Sequence, residues 1–459
     1  MKKLMIVFWA LTIMACEQEP KIDYVVLSGT VTNSKAKLAT VKGNDFKADL
    51  TIDEKGMFSD TLKISENGFF TFSIGREYTP MYLRSGSDIN LKLDATKFDE
   101  SLTYTGNGAV ENNYLAQKTF DNSKKTANPV EFYANEETAF KKTLANIQAT
   151  NEARLEQMTD VDAVFLSTEK QNLVYDHYAM LKNYAQRHGY YTKQENYKVS
   201  ENFFPEDLKT MTFDNAKAYT SSESYKSMAF GQTLDNIFKS LGDDINKVTV
   251  NDLDQLNTIK IEPLKNDVID YLGSFLVSPA NENMVSIYEF LKDTSTSEKT
   301  KKDLTQTFEK NKNLVKGMPS PQFVKYENHK GGDMSLTDLK GKYVYVDVWA
   351  TWCGPCIREI PSLKKVEQQF HNENIAFVST SIDKSSDHEK WIAMVNDKNL
   401  GGVQLMADND WNSKFVKDYA IQGIPRFILI DPNGNIVNAD APRPSDPKLI
   451  SLLEEELKM

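Results

Sequence analysis

Cys353 and Cys356 stand three residues apart at the end of an apolar run, Tyr343 to Trp352, and the only other cysteine in the chain is Cys16. A pair at this spacing falls on one face of a helix, close enough to form a disulfide without backbone movement. Such a pair can cycle between dithiol and disulfide, which is redox chemistry. The run before it is β-branched and aromatic, as a strand buried on both faces should be, and the sequence after it is helical. Cys353 therefore falls where a strand hands over to a helix N-terminus, where free N–H groups and the helix dipole favour a thiolate. Cys353 is the candidate nucleophile, with a thiol pKa lowered to about 7 or below, and Cys356 the candidate resolving thiol. The alternatives are a structural disulfide or half of a zinc site. Zinc needs two more ligands, and His177, His188, His329, His371 and His388 are scattered without suitable spacing. No metal is expected. Asp347, six residues before Cys353, sits in the strand among Tyr345, Val346 and Val348. Burial there should raise its pKa and suit it to moving protons near neutral pH.

The elements that must position these residues belong to a long chain. Its 459 residues exceed one compact core, and three domains are the natural expectation. With 40% hydrophobic and 26% charged residues the composition is that of a folded protein. The net charge is −11, and removing residues 1–15 with Lys2 and Lys3 takes it to −13. That acidity, with no basic-aromatic stripe, argues against nucleic acid as a partner. Lys2 and Lys3 followed by the uncharged stretch Leu4 to Ala15 read as a targeting segment, too short to span a bilayer comfortably. Ile13-Met14-Ala15 before Cys16 resembles a bacterial lipobox, in which the cysteine is lipidated and becomes the new N-terminus. An ordinary secretory signal with an incidental cysteine is the other reading. An exported chain with no structural disulfide but one vicinal pair points to a working redox centre.

Four segments follow: 1–15 as a lipoprotein signal peptide, 16–108 as a β-rich domain, 109–316 as an α-helical domain and 317–459 as an α/β domain. In 22–105, short apolar runs at 24–31, 71–74 and 89–93 are punctuated by turn signals such as Glu66-Asn67-Gly68. They predict a small sandwich or barrel, with no constellation that looks catalytic. Helices are predicted over 135–158, 161–188, 222–241, 251–276 and 283–315, with breaks near Gly189, Gly242 and Pro279. Their aromatics, Tyr175, Tyr178, Tyr184, Tyr288 and Phe290, read as a core stripe. After Gly317, strands at 343–349, 375–382, 403–406, 426–430 and 435–438 alternate with helices at 354–370, 387–398, 412–419 and 447–458. That order predicts a layered α/β fold, with Asn433-Gly434 as a hairpin turn.

At these residues the chain resembles the thioredoxin superfamily, specifically the TlpA/ResA-type membrane-anchored thiol–disulfide oxidoreductases. The resemblance covers about 317–459. It rests on Gly317-Met318-Pro319-Ser320-Pro321-Gln322-Phe323, on Ser335 to Lys342, on Trp349-Ala350-Thr351-Trp352-Cys353-Gly354-Pro355-Cys356, on Pro361 and on Gly423-Ile424-Pro425. Residues 22–316 more loosely resemble the β-domain and helical extension of lipid-anchored Bacteroidetes members.

The resemblance implies a thioredoxin-like C-terminal domain in a multidomain chain. Its Cys353–Cys356 pair would cycle without a cofactor. It implies an acid at Asp347 and another at Glu359, three residues after Cys356, with the division of labour between them open; Glu359 otherwise reads as an exposed helix residue. Pro425 is expected to be cis, leaving the Ile424 backbone free to pair with an extended substrate. Trp352, Gly354 and Pro355 would complete the substrate surface, and Trp349 is equally readable as packing. The function implied is reduction of protein disulfides in the cell envelope, lipid-anchored through Cys16 and facing the periplasm, with outer-membrane or surface exposure open. Its partners would be protein disulfides and a membrane-borne thiol donor, and apocytochrome c is one target by analogy. An oxidant or isomerase, and a ligand- or partner-binding lipoprotein with an accessory redox domain, are the alternatives. A thioredoxin-fold peroxidase would carry Thr and Pro where this chain has Ala350 and Val346.

Overall fold

The computed structural model describes residues 22–43, 46–242 and 244–458. The leader and Cys16 lie outside the described residues. The chain divides into two compact units that meet in sequence at Ala229 and Phe230.

In the first unit, eight strands form two four-stranded sheets: β1 (Val25–Thr32), β2 (Leu38–Lys42), β3 (Lys47–Thr51), β4 (Met57–Leu62), β5 (Gly68–Ile74), β6 (Glu77–Leu83), β7 (Asp88–Asp94) and β8 (Thr103–Asn107). Their orders are β4-β1-β7-β8 and β3-β2-β5-β6. Alternate residues of β1 are buried, Val25, Leu27 and Val31 among them, the period-2 pattern of a strand with one face on a core. Leu27 and Leu91 of one sheet and Val41 and Phe72 of the other share one apolar cluster, and Phe58 stacks on Phe72 across the gap at 6.0 Å. The β segment is thus a sandwich.

Helices follow over Ala109–Thr126, Pro129–Ala134, Glu137–Glu156 and Ala163–Thr192. The last was predicted to break near Gly189, but it runs on to Lys193, which ends it in the left-handed region at φ 59°. Glycine is needed at 189 for the close return of the chain, since a side chain there would lie 3.0 Å from the Gln194 carbonyl oxygen. The first two helices were not predicted.

In the second unit, the predicted helix 251–276 is a 3₁₀ turn, Val250–Thr258, followed by Glu262–Leu276. Pro263 lies in the first turn of that helix, where its missing N–H costs nothing. The predicted helix 283–315 is two, Met284–Thr294 and Glu298–Asn311. The hydroxyl of Ser297 caps the second by accepting from the Thr300 N–H at 3.2 Å, a local bond that competes with continuing the first.

Beyond them lies one seven-stranded sheet built from β9 (Tyr326–Asn328), β10 (Asp333–Met334), β11 (Tyr343–Trp349), β12 (Ile375–Ser381), β13 (Val403–Met406), β14 (Arg426–Ile430) and β15 (Ile436–Asn438), in the order β10-β9-β13-β12-β11-β14-β15. β11 is an interior strand, parallel to β12 and antiparallel to β14. The short, polar β9–β10 hairpin was not predicted. Gly434 turns the chain between β14 and β15 at φ 87°.

Helices cover both faces. Val344, Val346 and Val348 pack with Trp391 and Phe415 on one side. Tyr345 packs with Leu363, Val366, Leu449 and Leu453 on the other, under the helices Gly354–Gln369 and Pro447–Leu457. Asp347 shares the parity of Tyr345, so the pleat turns its carboxyl towards the helix that begins at the cysteines.

Candidate active site

β11 ends at Trp349, whose carbonyl accepts from the Ile382 N–H at 2.9 Å, and Ala350 to Trp352 carry the chain to the helix. Cys353 is the N-cap residue of that helix, and its sulfur accepts from the Cys356 N–H at 3.2 Å. Gly354 and Pro355 form the first turn, where a proline gives up no hydrogen bond. Cys353 and Cys356 are joined in a disulfide with their Cα atoms 5.3 Å apart. Both are buried, whereas Trp352 beside them is 56% exposed and is the largest apolar side chain offered to solvent at this end of the sheet.

Sequence reasoning missed three supports of this loop. Asp383, just past the end of β12, is 1% exposed. Its carboxylate accepts from the Thr351 N–H and hydroxyl at 2.8 Å each and from the Ser381 hydroxyl at 2.6 Å. Trp411 lies near Trp352, with ring centroids 6.4 Å apart. Ser445 donates its N–H and hydroxyl to Glu359 at 3.0 and 2.9 Å. The Glu359 carboxylate is therefore engaged with a loop 86 positions away and is not presented to the sulfurs as a free acid. A lone Asp, Trp or Ser in the sequence carries no signal of such a partner.

The Ile424–Pro425 peptide is cis, and the Ile424 carbonyl oxygen lies 3.8 Å from the Cys353 sulfur. This brings the second loop directly against the cysteines.

Asp347 lies below Cys356. Across the parallel pair its partner is Ser379, whose hydroxyl donates to the Asp347 carboxyl at 3.4 Å, and no ion pair reaches it among the described residues. Burial therefore dominates and pushes the Asp347 pKa up to about 7, assisted by the charges of Glu359 and Glu367 and opposed by the Ser379 hydrogen bond. Asp347, Trp349, Cys356, Glu367, Ser379 and Gln404 line one small cleft of about 10 Å³, about the room one water needs. Among the described residues, no group of three or more His, Cys, Asp or Glu is placed to hold a metal ion.

This geometry can move a proton and an electron pair at one place. One sulfur sits at a helix N-terminus, a second one turn on, and a carboxyl whose pKa burial raises to about 7 lies beneath the second.

Residues 315–453 match the Redoxin family model. The C-terminal part of the chain thus carries a Redoxin domain with a thioredoxin-like fold, preceded by a sheet domain and a helical region. The thiol-disulfide oxidoreductase ResA of Bacillus subtilis is 30% identical over 124 residues, 27% of this chain and 66% of that protein. The matched segment thus spans just under two thirds of that relative's length. Thioredoxin-like protein YneN of the same species is 27% identical over 135 residues, 29% of this chain and 76% of that one. Among solved structures, the thioredoxin domain of a thiol-disulfide oxidoreductase from Bacteroides vulgatus is 31% identical, covering 31% of this chain and 97% of that one at a TM-score of 0.28.

Proposed function

We propose that the protein is a thiol–disulfide oxidoreductase of the cell envelope that reduces protein disulfides through Cys353 and Cys356. The observation that carries this reading is the disulfide-capable pair at a helix N-terminus, with the cis Ile424–Pro425 peptide on one side and Asp347 on the other. The Cys353 thiolate attacks a partner disulfide, forming a mixed disulfide and releasing one partner sulfur as a thiolate that takes a proton from solvent. Cys356 gives its proton to Asp347 and attacks the Cys353 sulfur. The bond to the partner breaks, the second partner sulfur leaves as a thiolate, and the partner gains the two electrons that the cysteine pair loses. Trp352, Gly354, Pro355, Ile424 and Pro425 form the surface that receives an extended substrate, and Glu359 orients the active helix through Ser445.

The same proposal reads 16–108 and 109–316 as accessory modules, Cys16 as the lipid attachment point and the periplasm as the workplace. A membrane-borne thiol donor would recharge the pair, and apocytochrome c is a candidate target. No described helix is long and apolar enough to cross a membrane. In the test, the full chain with dithiothreitol should reduce insulin and Cys353→Ser should not; equal turnover by the variant would overturn the nucleophile. Direction is read from a glutathione titration followed by tryptophan fluorescence. The reading expects a potential nearer the thioredoxin value of about −270 mV, and one more positive than about −180 mV would mark an oxidant or isomerase.

A further inference from the structure

The proton that Asp347 takes from Cys356 must leave a site with no wide opening. The cleft under the active helix is lined by Asp347, Ser379 and Gln404 from three neighbouring strands and by Cys356 and Glu367 from the helix. Glu367 lies on the same helix face as Cys356, at offsets of four, seven and eleven residues through Ile360 and Leu363, the spacing of one helical stripe. It is half-buried, and no protein group among the described residues donates a hydrogen bond to its carboxylate. The chain makes room for that carboxylate with Gly401 and Gly402. A side chain at Gly401 would come within 2.3 Å of one Glu367 oxygen, and one at Gly402 within 3.0 Å of the other.

Two further groups from residues that line the cleft, Trp349 Nε1 and Gln404 Oε1, are buried without a protein partner. One is a donor and the other an acceptor, the pair that a water in the cleft would satisfy. The cation nearest Glu367, Lys364 on the same helix, gives its ammonium to the Lys398 carbonyl. The other polar and titratable groups lining the cleft are Cys356 from the active helix, Asp347 from β11, Ser379 from β12 and Gln404 from β13, of which the Asp347 carboxyl and, once reduced, the Cys356 thiol titrate. Burial raises the Glu367 pKa from its ordinary value, in the same direction as that of Asp347.

We propose that Glu367 is the second proton carrier of the site: through water in the cleft it receives the proton Asp347 has taken from Cys356, and it hands that proton to solvent. This rests on the reading of Cys353 and Cys356 as the redox pair and of Asp347 as the base. In the reverse direction the same path delivers the proton that Cys356 regains. No bond other than O–H changes along it, and no electron moves.

Stopped-flow oxidation of the reduced full chain by Ellman's reagent separates the steps. Attack by Cys353 releases one thionitrobenzoate, and resolution by Cys356 releases the second. In the wild type the second release is a single exponential at about pH 6 and at about pH 8.5, because Asp347 exchanges its proton quickly. Glu367→Gln preserves size and should leave the reaction at about pH 8.5 unchanged, since Asp347 starts ionised there. At about pH 6 its second release should split, with the molecules that begin protonated at Asp347 slower by at least about tenfold. One phase at the wild-type rate at the lower pH would overturn the relay. Equal slowing at both pH values, or a single phase with a displaced midpoint, would also overturn it, leaving Glu367 a structural or purely electrostatic neighbour. Failure of the first release in the wild type would instead refute the redox reading itself.

Discussion

The two units each bury a carboxyl group, and they treat it in opposite ways. In the first, Glu169 is buried on the helix Ala163–Thr192 with the Lys118 ammonium 2.6 Å away, Asp176 3.5 Å from the same ammonium, and Asn172 donating to Glu169 at 3.4 Å. Burial pushes the Glu169 pKa up and the lysine opposes it, while the two acids hold Lys118 firmly charged. In the second unit Asp347 has one long hydrogen bond from Ser379 and a water-sized cleft. The first arrangement is closed and suits structure. The second leaves a proton free to come and go, and that freedom is what marks Asp347 as chemistry.

The comparison can be broken from either side. The largest effect is expected from Lys118→Met, which strands Glu169 and should cost about 3–5 kcal/mol in urea unfolding of the first unit. The double variant with Glu169→Leu should recover most of that loss; if it does not, the pair is more than a structural device. Asp347→Asn should act in the other direction. A folded pKa raised to about 7 means that the folded state holds an extra proton between about pH 4 and pH 7, so stability falls as pH rises through that window. Removing the group should stabilise the second unit by up to about 4 kcal/mol at pH 8 and hardly at all at pH 4. Disulfide reduction should meanwhile slow by about a hundredfold. A stabilisation over the wild type no greater at pH 8 than at pH 4 would show that Asp347 is not buried as a lone acid.

Asp383→Ala comes next. It leaves the Thr351 N–H and two hydroxyls without an acceptor and should cost about 1–3 kcal/mol, read by thermal unfolding of the oxidised protein. The smallest change in stability, within about 0.5 kcal/mol, is expected from Trp352→Ala, because the ring is 56% exposed. Its KM for a protein disulfide should nonetheless rise while kcat holds; a fall in kcat alone would place Trp352 in the chemical step.

The sequence made the α/β order legible because β11 is a β-branched and aromatic run that gives way to a helical stretch at the cysteines, and Asp347 announced itself as a charge inside an apolar run. What stayed hidden depends on distance along the chain. Asp383 meets Thr351 across 32 positions and Ser445 meets Glu359 across 86, and no local pattern records either meeting. Glu367 looked like any polar helix residue until Gly401 and Gly402 were brought against it. The helical region was misread where a single side chain decides, as at the Ser297 cap and at Gly189.

Cys353 caps its own helix through its sulfur, and this gives the proposed nucleophile a small structural part as well. Alanine at this position removes the acceptor along with the thiol and should loosen the first turn by about 1 kcal/mol, whereas serine keeps an oxygen where a cap wants one. A dead enzyme made with serine is therefore a fair mimic of the living one, and a dead enzyme made with alanine is also a frayed one. The same logic applies to the working cycle. The sulfur that caps the helix here is already in the disulfide, and reduction to a thiolate gives the helix a stronger acceptor, so reduction of the pair should be legible as slower amide exchange at Cys356.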